Sequence, residues 1–405
     1  MNKVNSQNRR SFLKRGLGLG GLLATGAGSW VVLPEWANAA EGPIKVGMPV
    51  DLTGGLGVVG APMVNTAKLV VKQINDAGGL LGRPVQLFIE DTATNENAGV
   101  TAARKLVQRD RVDLVVGGVA SSMRNAIKDS IVSRGKTLYM YPSPYEGGEC
   151  TADLFCTGPT PAQQCDEFIP WLIKARGKRI AIVGSNYIWP HKVGAYAKNL
   201  IQKSGGEVVY EEFFPLDQIE FSSAVNKIRS TKTEVVFNMI IAPGGGPFFK
   251  QLYSAGFSKE GGHLACLYYD ENALLSSQPA EFEGLANCLD YFRVVDAIDP
   301  TSARIQAAYE AMHGKSTRFA AGNQSTGVYR ALKLWETAVK ECGSVDRAVV
   351  ASALDHAKLT EGPGGPCAMV PGKRHVKMNM YIAAARNGQF ELIERSKGLV
   401  DPREC

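Results

Sequence analysis

From residue 44 onward, short apolar runs rich in β-branched residues alternate with longer segments whose apolar positions recur at helical spacing. Strands are predicted at 44–52, 85–90, 112–116 and 137–141, with helices at 61–77, 98–109 and 121–133. A second series follows, with strands at 179–183, 207–214, 234–238 and 264–268 and helices at 162–175, 189–203, 221–228 and 246–255. Repetition of strand, helix and strand predicts parallel sheets that helices cover on both faces.

The pattern changes after residue 291, where long helices are predicted at 303–313, 322–342 and 345–355. A turn rich in Gly and Pro at 362–366 separates them from two strands at 376–384 and 390–393, which we expect to be antiparallel. We expect the late helices to return to the first lobe and cover its sheet. The sequence therefore predicts an α/β chain with two doubly wound lobes, whose strands end at a shared cleft that binds a small molecule.

The first 39 residues contain the three parts of a secretory signal in order. Arg9-Arg10 is followed by Phe12-Leu13-Lys14, a weakly apolar stretch covers 16–29, and Ala37-Asn38-Ala39 precedes the expected cleavage point between Ala39 and Ala40. Paired arginines predict a twin-arginine signal, with the twin-arginine translocase as the export partner and the periplasm as the destination. The alternatives are an uncleaved anchor and an incidental pair of arginines.

The net charge gives no support for a nucleic-acid partner. The formal charge is +6, but residues 1–39 contain five of the basic residues and one of the acidic ones, so the remainder carries +2. Basic and acidic residues are interspersed, whereas nucleic-acid surfaces concentrate basic residues. We expect no metal or other cofactor and no enzymatic activity. The histidines are scattered, and the sequence has no Cys-x-x-Cys, His-x-x-x-His or Gly-x-Ser-x-Gly motif.

Eight cysteines follow the signal, and an even number in an oxidising compartment predicts disulfides. Cys150 and Cys156 are close enough in sequence to close one loop, and they form the best candidate pair. Cys342 and Cys367 flank a helical segment and form a weaker pair. The pattern does not assign the other four cysteines, for which buried free thiols are the alternative.

The loops after the predicted strands contain the candidate binding residues. The segment 117–122 leads into a helix, so Ser121 either binds an oxygen-bearing ligand group or caps that helix. Tyr141-Pro142-Ser143-Pro144-Tyr145 predicts a stiff aromatic wall, with ordinary loop packing as the alternative. On the second lobe, Tyr187 is expected to project into the cleft. Asp270 either binds a ligand ammonium group or caps the next helix.

The run Ile-Asn-Asp-Ala-Gly-Gly-Leu-Leu-Gly-Arg-Pro at 74–84 resembles a signature of the Leu/Ile/Val-binding family of ABC-transporter solute receptors. The stretches 141–147, 158–164 and 184–190 are most similar to the amide- and urea-binding branch of that family. The resemblance implies a type I periplasmic-binding fold with three crossings between lobes, near Gly158, near Tyr291 and at 368–373. It assigns residues 40–158 and 292–368 to lobe 1, and residues 159–291 and 369–405 to lobe 2.

The resemblance also implies a function and a set of contacts. Closure of the lobes would trap a small solute, an amide, urea or amino acid, for delivery to the membrane permease of an ABC importer. In the amide branch, the matching positions are Ser121, Tyr141, Ser143, Pro144 and Tyr187. In the amino-acid branch, Ser121, Ser143 and Tyr145 would contact the carboxylate and Asp270 the ammonium group. Val59 and Val119 occupy positions where the branches have aromatic residues, which predicts a more open or more apolar pocket.

Overall fold

The computed structural model describes residues 42–275, 277–315, 319 and 324–405. The predicted signal and its cleavage point lie outside the described residues. The strands are β1 (Ile44–Val50), β2 (Val85–Asp91), β3 (Leu114–Val116), β4 (Leu138–Tyr141), β5 (Leu154–Cys156), β6 (Arg179–Ser185), β7 (Glu207–Phe214), β8 (Val235–Met239), β9 (His263–Cys266), β10 (Ala286–Leu289), β11 (Lys358–Leu359), β12 (Cys367–Val370), β13 (His375–Met378), β14 (Tyr381–Arg386) and β15 (Gln389–Arg395).

The helices alternate with these strands through most of the chain. They are α1 (Gly57–Asp76), α2 (Glu96–Arg104), α3 (Ser121–Lys128), α4 (Pro161–Cys165), α5 (Phe168–Ala175), α6 (Ile188–Lys203), α7 (Ser222–Ser230), α8 (Gly245–Ser254), α9 (Glu271–Leu275), α10 (Pro300–His313), α11 (Gln324–Cys342) and α12 (Arg347–Leu354). Short 3₁₀ turns lie at Pro279–Phe282 and Arg293–Ala297. Within the described part of the chain, no helix is both long and apolar enough to span a membrane.

The first sheet has the strand order β11-β12-β13-β5-β4-β3-β1-β2 among the described residues. The pairs from β13 to β2 are parallel, and β11, β12 and β13 pair antiparallel. Strand β1 is almost entirely buried because helices cover both faces of the sheet. Helix α11 packs against α1, β3 and β4, so the expectation that a late helix covers the first sheet is confirmed. We call the body built on this sheet the first lobe.

The second sheet has the order β15-β14-β10-β9-β8-β6-β7 in the described part of the chain. Strands β7, β6, β8, β9 and β10 are parallel, and β14 and β15 add an antiparallel hairpin at one edge. The predicted antiparallel pairing near residues 376–393 is therefore confirmed for β14 and β15. We call the body built on this sheet the second lobe.

The last passage between the sheets lies later than the sequence predicted. Residues 368–373 belong to β12 and the turn after it, both in the first sheet, so the crossing expected there is wrong. The chain instead passes from β13 to β14 through Asn379 and Met380. The sequence pattern merges these two strands into one, because both are buried and the two residues between them are buried as well.

The predicted disulfide pairs are wrong. Among the described residues the structure contains one disulfide, Cys150–Cys405, while Cys156, Cys342 and Cys367 are free thiols. Cys156 ends β5, a three-residue strand that the sequence pattern does not reveal, and its side chain is buried in the first lobe. Burial raises the pKa of the Cys156 thiol to about 12, so this thiol is neutral and unreactive.

The segment 400–405 runs back along the start of the first crossing, which explains how Cys405 reaches Cys150. Thr160 donates through its hydroxyl to the carbonyl of Pro402 at 2.8 Å. The backbone N–H of Gly148 donates to Glu404 at 2.6 Å, and Arg403 forms an ion pair with Asp166 at 2.6 Å. These contacts join residues far apart in sequence, so spacing between cysteines could not reveal the pairing.

Candidate functional site

The parallel strands of both sheets end at one cavity. Strand order reverses between β1 and β3 in the first sheet and between β6 and β8 in the second. Open α/β sheets bind ligands outside the carboxyl ends of the strands at such points. A cavity of about 1400 Å³ lies there, and the loops after β1, β3, β6, β8 and β9 line it.

Six of the nine residues predicted to contact a solute line this cavity: Val59, Val119, Ser121, Pro144, Tyr187 and Asp270. The other three, Tyr141, Ser143 and Tyr145, do not belong to its lining.

Tyr141, Ser143 and Tyr145 are fully buried beside the cavity and use their hydroxyls within the first lobe. Tyr141 donates to the carbonyl of Val119 at 2.9 Å, and Ser143 donates to the carbonyl of Gly118 at 3.0 Å. Tyr145 hydrogen-bonds to the imidazole of His375. The hydroxyls of Tyr141 and Ser143 therefore hold the loop before α3 in position, whereas that of Tyr145 bonds to β13.

Ser121 is the first residue of α3 and lines the cavity. The preceding N-cap residue is Ala120, and the start of this helix has no side-chain cap hydrogen bond. The Ser121 side chain is buried and has no hydrogen-bond partner among the described residues. Burial raises the pKa of Tyr141, and the nearby Ser121 hydroxyl offsets only a small part of that rise, since the two hydroxyls do not have hydrogen-bond geometry. The capping alternative for Ser121 is therefore wrong.

Gln324, which begins α11, contributes a second buried polar group to the cavity. It is 9% exposed, and its side-chain carbonyl oxygen has no partner in the described part of the chain. Sequence reasoning missed this residue because α11 was expected only to cover the first sheet. A polar Gln at the start of a long, largely buried helix is the signal that could have identified it.

The second lobe supplies an aromatic wall. Trp189 packs edge-on against Tyr268, with ring centroids 5.9 Å apart, and lies 6.3 Å from Tyr187. Its indole N–H is buried and unpartnered among the described residues. Burial raises the pKa of Tyr187 far above its usual range, and Tyr141 of the first lobe adds to the effect. Trp189 therefore packs within the wall of the cavity and retains an unused hydrogen-bond donor.

Asp270 lines the cavity but also caps α9. Its carboxylate accepts from the backbone N–H of Asn272 at 2.9 Å and of Ala273 at 3.4 Å. The capping alternative is therefore confirmed, although a carboxylate has acceptor capacity for a ligand as well. Burial and the neighbouring charge of Asp270 raise the pKa of Glu271 to about 8.

The cavity can bind a small molecule by hydrogen bonds and apolar contact. Its walls combine aliphatic and aromatic side chains with a few convergent polar groups, the usual composition of small-molecule sites. In the part of the chain that the structure describes, no cluster of three or more His, Cys, Asp or Glu residues could hold a metal ion.

The sequence of this chain is similar to those of known binding proteins. A profile of the family described as "Periplasmic binding protein" matches residues 43–389. The Leu/Ile/Val-binding protein homolog 3 of Brucella melitensis biotype 1 is 28% identical over 351 residues, which cover 80% of this chain and 87% of the relative.

Solved structures share the fold over nearly the whole chain. A solute-binding protein of an ABC transporter from Rhodopseudomonas palustris BisB5, in complex with 3,4-dihydroxybenzoic acid, has a TM-score of 0.79 at 23% identity, covering 90% of this chain and 99% of that one. The branched-chain amino acid transporter substrate-binding protein LivJ from Streptococcus pneumoniae, in complex with isoleucine, has a TM-score of 0.74 at 18% identity, covering 87% and 99%. The predicted two-lobe α/β fold is confirmed.

Proposed function

Because the chain belongs to the periplasmic binding protein family, we propose that it is the solute receptor of an ABC importer and that it captures a small neutral amide or urea. Closure of the two lobes around the cavity would retain the solute, and the closed protein would deliver it to the membrane permease. Its relationship to a Leu/Ile/Val-binding protein homolog supports the receptor role.

Three buried polar groups that have no partner among the described residues support the choice of an amide: the Ser121 hydroxyl, the Trp189 indole N–H and the Gln324 side-chain carbonyl. A planar amide or urea presents one acceptor oxygen and N–H donors. The indole N–H would donate to the solute carbonyl, and the Gln324 oxygen would accept from the solute N–H₂. The Ser121 hydroxyl would either donate to the carbonyl or accept from the N–H₂. Buried polar groups left without partners are costly, so a solute that satisfies all three is favoured.

A branched-chain amino acid is the second candidate. The named function of the Brucella relative favours it, and Asp270 at the cavity wall would face the solute ammonium. The capping bonds that Asp270 already makes to α9 reduce the strength with which it would bind that ammonium. The polar groups that the first lobe presents to the cavity are neutral, so an amino-acid carboxylate would be bound there by hydroxyl and backbone N–H donors at the start of α3.

Export would bring the receptor to the compartment where it works. The sequence of the first 39 residues supports twin-arginine export, cleavage near Ala39 and a periplasmic location. The partners we propose are therefore the translocase during export and the permease afterwards, with no nucleic acid and no cofactor.

The proposal is tested by calorimetry of the purified protein with a panel of solutes. The panel contains urea, acetamide and butanamide, then leucine, isoleucine and valine, then benzoate and 4-hydroxybenzoate. We expect the amides or urea to bind most tightly and to raise the melting temperature. A solute at 100 times its Kd stabilises a protein by about 2.7 kcal/mol.

Two outcomes would contradict this proposal. Tighter binding of leucine than of every amide would favour the amino-acid candidate, and Asp270→Asn would then abolish leucine binding while leaving any amide binding unchanged. Recovery of the amide by NMR is the control for catalysis, because a receptor returns it intact. Release of ammonia in proportion to protein concentration would point to an enzyme.

A further inference from the structure

The cavity continues from the cleft into a groove within the second lobe. Its volume of about 1400 Å³ exceeds the ~300–1,000 Å³ of common small-molecule sites. We call this extension the side groove. Its walls are Pro247, Lys250 and Ser254 of α8, facing Leu275, Gln278 and Glu281. An amide or urea small enough to sit among the three neutral polar groups would leave this groove empty.

Glu281 is the distinctive residue of the side groove. It lies in the 3₁₀ turn Pro279–Phe282 and is 7% exposed. Its carboxylate lines the cavity and forms no hydrogen bond or ion pair within the described part of the chain. A carboxylate that lines a cavity and has no protein partner can pair with a cation of a bound solute.

The other carboxylates of the cavity wall already have partners. Glu220 accepts from the backbone N–H of Ser222 at 2.9 Å, and Asp270 caps α9. Lys250 lies on the opposite wall, but it is exposed, so its ammonium is solvated and gains less from a partner. Glu281 is therefore the carboxylate of this wall that is available to a bound solute, and the group it would bind is a cation.

We infer that the side groove is a second subsite, which takes the cationic end of a solute whose neutral amide end lies against Ser121, Trp189 and Gln324. This inference rests on the proposed function, because it extends the same cavity. The cation is a primary ammonium or a guanidinium, and Glu281 is its partner. Pro247 and Leu275 offer apolar surface to the alkyl chain between the two ends. The solute class is thus an amino-amide or amino-urea.

The test compares three probes that share an amide end. Butanamide is neutral, 4-aminobutanamide adds an ammonium, and succinamate adds a carboxylate. We expect calorimetry with the full chain to give at least tenfold tighter binding of 4-aminobutanamide than of butanamide, and weaker binding of succinamate. Glu281→Gln should remove at least five-sixths of this gain in affinity for 4-aminobutanamide. It should leave the affinity for butanamide unchanged.

Glu283→Gln is the matched control, because Glu283 is two residues away and its carboxylate binds Arg386 and the backbone of Asn387 instead of the cavity. It should keep the full preference for 4-aminobutanamide. Equal binding of butanamide and 4-aminobutanamide by the unmodified protein would overturn the inference alone. So would an ammonium preference that survives Glu281→Gln. Failure of every amide probe to bind would overturn the proposed function and the inference together. The comparison of probes in the unmodified protein stands even if the variant does not fold.

Discussion

Gln163 and Gln164 are neighbours in the chain, yet their side-chain amides donate hydrogen bonds to different lobes. Gln163 donates to the carbonyls of Val376 and Val400 at 2.9 Å each, and Val376 lies in β13 of the first sheet. Gln164 donates to the carbonyls of Leu267 and Cys288, at 2.7 and 3.2 Å, beside β9 and in β10 of the second sheet. Both glutamines are buried in α4, so this short helix joins the two lobes at the first crossing.

Gln164→Ala should therefore destabilise the protein by about 1–3 kcal/mol, since it leaves two buried carbonyls without a donor. Urea unfolding measures the loss, and hydrogen exchange should show the earliest opening at residues 263–289 of the second lobe. Gln202→Ala, on the exposed end of α6, is the control and should change stability by less than about 0.5 kcal/mol. Equal effects of the two substitutions would contradict the role of Gln164.

Ser121→Ala should weaken binding of a neutral amide about tenfold, equivalent to about 1.4 kcal/mol, with little change in melting temperature. The buried hydroxyl makes no hydrogen bond to the residues that the structure describes, so its loss costs the folded state little. Trp189→Phe should act similarly, because it keeps an aromatic ring and removes the N–H. Ser122→Ala is the control, since Ser122 is the next residue of α3 and does not line the cavity. Unchanged amide affinity in both Ser121→Ala and Trp189→Phe would contradict the proposed binding geometry.

Asp290→Ala should cost about 3–5 kcal/mol, because it leaves the guanidinium of Arg330 buried without its charge partner. Thr326 also donates to Asp290, at 2.7 Å, and Arg330 donates to the carbonyl of Thr157 at 3.1 Å. The pair connects the end of β10 to α11. Thermal and urea unfolding measure the effect.

An exposed ion pair provides the contrast to Asp290 and Arg330. Asp76→Ala removes the partner of Lys72 on α1, where both side chains are more than half exposed. Its expected cost is under about 1 kcal/mol. A second comparison is the double variant Asp290→Ala with Arg330→Met, which should recover much of the loss because no buried charge remains. A double variant as unstable as Asp290→Ala would show that charge burial is not the cause.

Cys405→Ser should lower the stability by about 2–4 kcal/mol, because the Cys150–Cys405 bond closes a long loop in the unfolded chain. A reducing agent should lower the melting temperature of the unmodified protein and leave that of the variant unchanged. Cys342→Ser is the control, since Cys342 is a free thiol at the end of α11. Equal sensitivity of both variants to the reducing agent would argue against this pairing.

The stability of the protein should fall as the pH drops below about 6.5, partly through His375. Burial lowers the pKa of His375 to about 4 in the folded protein, whereas an unfolded histidine titrates near ~6.5. The unfolded chain therefore binds a proton that the folded protein does not, which costs about 1 kcal/mol at pH 5.5 and more as the pH approaches 4. Stability is regained as the pH rises above that range.

The neutral imidazole fits its surroundings, since Nδ1 donates to the carbonyl of Lys373 at 2.6 Å and Nε2 accepts from Tyr145. His375→Gln should reduce the slope of unfolding free energy between pH 7.5 and 5.5, measured with urea. His356→Gln, at an exposed position, should keep the slope of the unmodified protein. An unchanged slope in His375→Gln would remove this histidine as the cause.

The order of strands and helices was predictable from apolar periodicity, because most elements are long and buried on a regular face. The three-residue strand β5 was missed since three buried residues do not establish a period. The segment 376–384 was predicted as one strand because apolar character continues through Asn379 and Met380, where the chain changes sheets. The first error comes from the shortness of β5, and the second from a change of sheet that depends on contacts between distant parts of the chain.

The candidate site was predictable where a loop follows a strand directly. Val59, Val119, Ser121, Pro144, Tyr187 and Asp270 line the cavity for that reason. Tyr141 and Ser143 belong to the same type of loop, but their hydroxyls point to carbonyls one loop away, a choice that depends on tertiary distance. Gln324 and Glu281 escaped notice because neither belongs to a loop directly after a predicted strand.

The Cys150–Cys405 bond turns most of the chain into a covalent ring. The ring includes every strand of the second sheet, from β6 to β15, as well as α10, α11 and α12. A single backbone cut anywhere between residues 150 and 405 leaves two fragments that remain attached through sulfur. A protease that nicks an exposed loop of the second lobe therefore opens the ring without releasing that lobe from the rest of the receptor.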